Sequence, residues 1–172
     1  LDGNGRLGRL LITLMLINDG VLHSCLFYPS FQFKKNRSEY YRQLTSVRER
    51  GTYEEWLEFF CASLLESAKD SVGSLKSLVD LHNRSTAAIT ENLGRTVANG
   101  QRLLSLLEEH PILDTAFIAA RLDIGRSTAS SLVKSFEELG ILRPLDESRQ
   151  RYRQYGYEEY LSILREDAEP IR

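Results

Sequence analysis

The sequence predicts a mainly α-helical chain that ends in a small β-hairpin. Three observations carry this expectation. Apolar residues recur at helical spacing almost everywhere up to about residue 140. Glycine or proline stops follow the periodic stretches, at Gly20, Gly51, Pro111 and Gly140. Strand-like stretches occur only after residue 140, as Ile141-Leu142-Arg143 and Arg151-Tyr152-Arg153-Gln154-Tyr155 around Asp146-Glu147-Ser148.

In chain order, Leu7, Leu10, Leu11, Leu14, Met15 and Ile17 form the first helix. It is apolar on nearly every side from Leu10 to Ile17, which predicts a buried central helix. Pro29 breaks the next stretch, and Lys34-Lys35-Asn36 leads into a helix from Arg37 to Arg50. Lys34, Lys35 and Arg37 read as a solvated face. Thr52 and Glu55 have capping-box spacing ahead of Trp56, Leu57, Phe59, Phe60, Leu64 and Leu65, with Trp56, Phe59 and Phe60 expected in the core. A further helical stretch runs from about Val72 to Val97, weakly interrupted at Gly73 and Gly94.

Composition shifts near Asn99-Gly100, so two domains are expected, 1–97 and 98–172. In the second, a leucine-rich helix precedes Pro111, a short helix spans Thr115 to Leu122, and another spans Ser127 to Leu139 after Asp123-Ile124-Gly125. The hairpin follows, then a last helix from Tyr157 to Arg165. Three helices and a hairpin in this order predict a winged helix-turn-helix. Its expected core is Ile118, Ala119, Leu122, Leu132, Val133, Phe136 and Leu139.

The 172 residues are 42% hydrophobic and 27% charged, with formal net charge −2, a globular balance that excludes disordered and collagenous classes. The pI near 6.0 excludes a basic nucleic-acid footprint over the whole chain, though not a local one. Cys25 and Cys61 offer neither metal spacing nor a disulfide framework, so a reducing, cytoplasmic setting is expected. The apolar run Leu10 to Ile17 is too short for a bilayer span, and no membrane role is expected. The chain opens without a methionine or a signal peptide, as the middle of a longer sequence would.

The opening Leu1-Asp2-Gly3-Asn4-Gly5-Arg6-Leu7-Gly8-Arg9 carries the sharpest chemical pattern. Gly3 and Gly5 let backbone N–H groups converge, and a helix start directly after them favours an anion. Arg6 and Arg9 share a helical face and carry planar donor forks. Asp2 beside an anion site implies a divalent cation between them. Gly3, Asn4, Gly5, Arg6 and Arg9 are therefore candidate nucleotide-binding residues and Asp2 a candidate metal ligand. The alternative is a plain turn feeding a helix. The match to G-x-G-x-x-G carries no Rossmann meaning, because no strand precedes it.

These residues resemble the signature of the Fic family, His-Pro-Phe-x-Asp/Glu-Gly-Asn-Gly-Arg-x-x-Arg. Leu1 fills the variable position, and Asp2 to Arg9 match the remaining elements. Tyr28, Phe33 to Arg37, Glu39 to Tyr41 and Trp56 to Phe60 look like bacterial Fic proteins that end in a winged helix. The resemblance implies the C-terminal part of a Fic-type helical domain. It implies AMP transfer from ATP, with magnesium, to a hydroxyl of a target protein. Asp2 would hold the magnesium, Gly3, Asn4 and Gly5 the α- and β-phosphates, Arg6 the β-phosphate and Arg9 the γ-phosphate. The motif histidine would lie upstream of Leu1, and His23, His82 and His110 lack its context, so no catalytic residue is assigned and an inactive fragment is expected. Tyr40-Tyr41 are candidates for self-modification, with half-buried packing the favoured role. Without the preceding helices, the apolar helix from Leu7 to Ile17 would be exposed and self-association, as a homodimer, is expected unless an upstream part has been lost.

The C-terminal module supplies the alternative function, a winged-helix regulator that binds DNA or docks a protein. Arg126, Ser127, Thr128, Ser130, Ser131 and Lys134 are suited to base and phosphate contacts. The hairpin adds Arg143, Arg149, Arg151 and Arg153, with Arg151 and Arg153 expected on one strand face. Against DNA, residues 98–172 hold ten basic and thirteen acidic side chains, Glu137, Glu138, Glu158 and Glu159 among them.

Overall fold

The computed structural model describes residues 4–22, 29–146 and 153–166. The chain is mainly helical and carries a small three-stranded antiparallel sheet, an arrangement consistent with a winged helix-turn-helix. It divides into two compact units, Leu1–Leu75 with Asp167–Arg172, and Lys76–Glu166.

The first unit contains α1 (Asn4–Asn18), α2 (Pro29–Lys35), α3 (Arg37–Arg50) and the N-terminal part of α4 (Tyr53–Asn92). The expected burial of the first helix is not found: Leu7, Leu10, Leu11, Leu14 and Met15 are all exposed. An apolar pattern states that a helix can be covered, not that a cover is present. Pro29 starts α2, because a proline ring at the first helical position fixes a helical φ and removes an N–H that has no partner there; residues 23–28 before it lie outside the described residues. Gly51 ends α3 as expected, at φ 72°, with its N–H on the Val47 carbonyl. Phe33 is buried, and its ring lies 5.3 Å from Tyr40 and 5.8 Å from Phe60. Trp56, Phe59 and Phe60, expected in the core, are half-buried around it because they cover one side of a small aromatic cluster. Tyr40 is half-buried and Tyr41 exposed. Lys34, Lys35 and Arg37 are exposed, as a solvated face should be. The Thr52 hydroxyl, expected in a capping box, pairs with Ser46 Oγ at 2.7 Å.

The helical stretch expected from about Val72, weakly interrupted at Gly73, is part of a longer helix: α4 runs for 40 residues, from Tyr53 through Gly73 to Asn92. A single glycine costs a helix only about 1 kcal/mol, so the flanking turns carry it. The stop falls instead at Gly94, where φ is 50° and a short 3₁₀ turn, Gly94–Thr96, redirects the chain.

The second unit takes the C-terminal part of α4 with α5 (Val97–Glu109), β1 (Ile112–Asp114), α6 (Thr115–Leu122), α7 (Arg126–Glu138), β2 (Arg143–Pro144), β3 (Gln154–Gly156) and α8 (Glu158–Glu166). Strand order is β1-β3-β2, with Leu113 opposite Tyr155 and Pro144 opposite Tyr155 on the other side. The first of these strands, directly after Pro111, was not among the expected elements. Ile118, Ala119, Leu122, Leu132, Val133 and Phe136 are buried as expected, and Leu139 packs against them half-buried. Leu81 and Ile89 of α4 and Leu93 just after it join this core, as do Leu103, Leu104 and Leu107 of α5. Gly100 lets α5 approach the end of α4 closely: a Cβ there would stand 2.6 Å from Leu93 Cδ2 and 2.9 Å from Ile89 Cγ2.

Tyr157, 1% exposed, closes the core, its hydroxyl 2.8 Å from Ser85 Oγ. Burial pushes its ionisation above the ordinary tyrosine range, against the opposing effect of the Ser85 hydrogen bond. Tyr160, stacked on it at 5.5 Å, is raised by burial as well. An unfolded chain thus loses these protons at lower pH than the folded one. Their contribution is complete below the ordinary tyrosine value, about pH 10, and is lost as pH rises through the folded value. Thermal melts should therefore fall steeply above about pH 10, and fall less for Tyr157→Phe. Ultraviolet titration of phenolate should show a component above the ordinary tyrosine range that shrinks in Tyr157→Phe.

Candidate nucleic-acid interface

The polar residues expected at an interface converge on α7. Ala129, Leu132, Val133 and Phe136 turn one face of this helix into the core. Arg126, Ser127, Ser130, Ser131 and Lys134 are exposed on the remainder, and Thr128 is half-buried. The spacing of 127, 130, 131 and 134 forms one continuous polar stripe, because three- and four-residue steps share a helical face. The Ser131 hydroxyl donates to the Ser127 carbonyl at 3.1 Å. Lys134 Nζ lies 3.7 Å from Glu138 one turn on, an exposed pair that leaves the ammonium accessible to other anions.

The helix before it is held at both ends. Asp114 caps α6 by accepting from the Phe117 N–H at 2.7 Å. At the other end, Asp123 takes the left-handed conformation at φ 53°, and its N–H returns to the Ala119 carbonyl. Ile124 N–H donates to the same carbonyl at 3.1 Å. Arg102 of α5 donates from Nη2 to the Leu122 carbonyl at 2.7 Å, placing a cation at the C-terminal end of the α6 dipole. Asp123, Ile124 and Gly125 form the turn, and Gly125 stands at the N-cap of α7 with no side chain to occupy the amides of its first turn. A helix is thus presented by its N-terminal end on a fixed turn, with an arginine and small hydroxyls on the open side.

Sequence reasoning missed the supporting residues. Arg102 carries no local signal, since its partner is 20 residues away. Asp114 could have been found from the Asp-Thr-Ala-Phe order at the head of an apolar helix. Phe117, edge-on to His110 at 5.3 Å and with the Arg121 guanidinium 6.0 Å from its ring, is half-open on α6.

The other expected residues are placed as follows. Arg143 opens β2 and is exposed. Arg153 lies just before β3, half-buried and engaged in an interaction of its own. Arg149 and Arg151 lie outside the described residues, as do Asp2 and Gly3. Asn4, Gly5, Arg6 and Arg9 all belong to α1, whose first residue is Asn4. The Arg9 guanidinium folds back over Gly5, 3.4 Å from where a Cβ would stand. Among the described residues, no group of three His, Cys, Asp or Glu side chains could hold a metal ion, and no helix is long and apolar enough to cross a membrane.

A family model described as the IclR helix-turn-helix domain matches residues 96–146, which hold α5, β1, α6, α7 and β2. No match to the Fic family accompanies it. This corrects the resemblance drawn from Asp2 to Arg9, and with it the reading of the chain as a protein adenylyltransferase or AMPylation fragment. A short glycine- and arginine-bearing opening is compatible with an ordinary helix start, and α1 begins within it. The match instead falls on the helix-turn-helix, in favour of the regulator held as the alternative.

Proposed function

We propose that this chain acts as a DNA-binding transcription regulator, with α7 as the helix that enters the major groove. The observation that carries this reading is the exposed polar stripe of α7, Ser127 to Lys134, lying inside the span matched by the IclR helix-turn-helix model. Arg126 at the helix start has the reach and the paired donors to read a guanine edge, while Ser127, Ser130 and Ser131 accept or donate to either base or to phosphate. Lys134, one turn deeper, serves the backbone. The excess of acidic residues in this half supports weak non-specific affinity per subunit, with discrimination carried by base contacts instead of bulk charge.

Fluorescence anisotropy with a random-sequence duplex at low salt tests the reading, followed by selection from a randomised pool. Binding is expected to weaken linearly in log salt. Lys134→Ala should reduce affinity alike for all sequences and lower the salt slope by about 1. Arg126→Ala should weaken the selected site by about 1–3 kcal/mol and relax preference at one base position. No binding to random duplex at tens of micromolar and low salt, together with no enrichment from the pool, would refute the proposal.

A further inference from the structure

The helix α4 bears two apolar stripes, and among the described residues one of them is buried and the other exposed. On the first side, Leu81 and Ile89 are buried. On the other side, Cys61, Leu65, Ala68, Val72, Leu75 and Val79 follow one another at steps of four, three, four, three and four. All six are exposed, Leu65 at 56%, Val72 at 50%, Leu75 at 45% and Val79 at 58%. This is the heptad rhythm of a two-stranded coiled coil, with Leu65, Val72 and Val79 at a positions and Cys61, Ala68 and Leu75 at d.

From this we infer that α4 pairs with α4 of a second copy of this chain, in parallel, along the seam from Cys61 to Val79. The occupant is specified by the pattern. A 3,4 repeat is complementary to an identical repeat, and a two-fold axis along the seam satisfies both copies at once. β-branched residues at two a positions and leucine at a d position favour two strands. Charge sets the direction. Ala62, Lys69 and Lys76 occupy the e positions, while the g positions hold Leu64, Ser71 and Leu78. An antiparallel pair would set e against e and bring the lysines together; a parallel pair sets e against the uncharged g residues. Lys69 is already compensated on its own helix by Glu66, with Nζ 2.7 Å from Oε1. The seam spans 19 residues, about 28 Å of helix. It does not depend on the chain binding DNA, so failure of either reading leaves the other standing.

Light scattering on the intact chain at tens of micromolar is expected to give twice the 19.7 kDa chain mass. The double variant Leu65→Glu, Val72→Glu should return the monomer mass with unchanged helical circular dichroism, since both side chains are exposed and support no core. In a Cys25→Ser background, a short bis-maleimide should join two copies through Cys61, and Cys61→Ser should abolish the product. A monomeric parent chain overturns the inference. So does a dimer that survives the double substitution, for example through the exposed face of α1, or one that fails to cross-link at Cys61. Should the double variant lose helix content, the cross-link in the Cys25→Ser background decides alone.

Discussion

Phe136→Ala is expected to destabilise the second unit by about 3–5 kcal/mol, the largest effect of any single truncation proposed here. The ring is fully buried and sits on α7 among Leu103, Leu107, Ile118 and Leu132. Helical residues on α5, α6 and α7 are tied to backbone ladders and cannot all shift inward, so most of the removed volume stays as a cavity. At about 4–8 °C per kcal/mol for a unit of this size, the loss should be plain in a thermal melt. Denaturant titration should show a lower midpoint with an unchanged slope. Because the same residue anchors the helix that carries Arg126 and Lys134, duplex binding should fail at temperatures where the parent still binds. A variant that melts within 2 °C of the parent would mean that the core around α7 is far looser than the buried set implies.

Gly100→Val carries the second large expectation, destabilisation of about 1–3 kcal/mol from overpacking, with β-branching adding to it. The neighbours that would be struck are side-chain ends, but Ile89 is fully buried and Leu93 nearly so. Gly100→Ala is the informative companion. It gains about 1 kcal/mol in helix propensity and meets the same contacts with a single methyl, so it should come out near neutral. Chemical denaturation of both variants separates the two contributions: valine should cost more than alanine, and an alanine variant clearly more stable than the parent would show that the close approach of α5 to the end of α4 carries no penalty.

Much of the second unit was legible in the sequence because its helices are short, amphipathic and separated by Pro111, Gly125 and Gly140. Each then reports its buried face by spacing alone, and Ile118, Leu122, Leu132 and Phe136 follow directly. The strands were harder. Only three residues of β1 pair, and one residue of β2 is a proline, so no alternation of useful length exists. In the first unit, Pro29 marks a helix boundary, because the ring that forbids a helix interior favours its first position. At Gly73 the weak interruption expected from the sequence does not break α4, because the flanking turns outweigh a single glycine. The candidate interface was legible as residue types on one helix face, but its supports were not, since Arg102 reaches Leu122 only through the fold. The reading of Asp2 to Arg9 shows the opposite risk: spacing in a loop-like opening matched a long motif, while the family match lies on the span from α5 to β2.

Pro144 gives the small sheet a one-sided character. It occupies β2, the outermost strand beyond β3, and a proline lacks the N–H that a further strand would need as donor. Strand addition from another molecule is therefore blocked along that rim, and fibrillar growth by ribbon extension has no foothold there. Any ribbon growth from this sheet would therefore have to begin at the β1 rim.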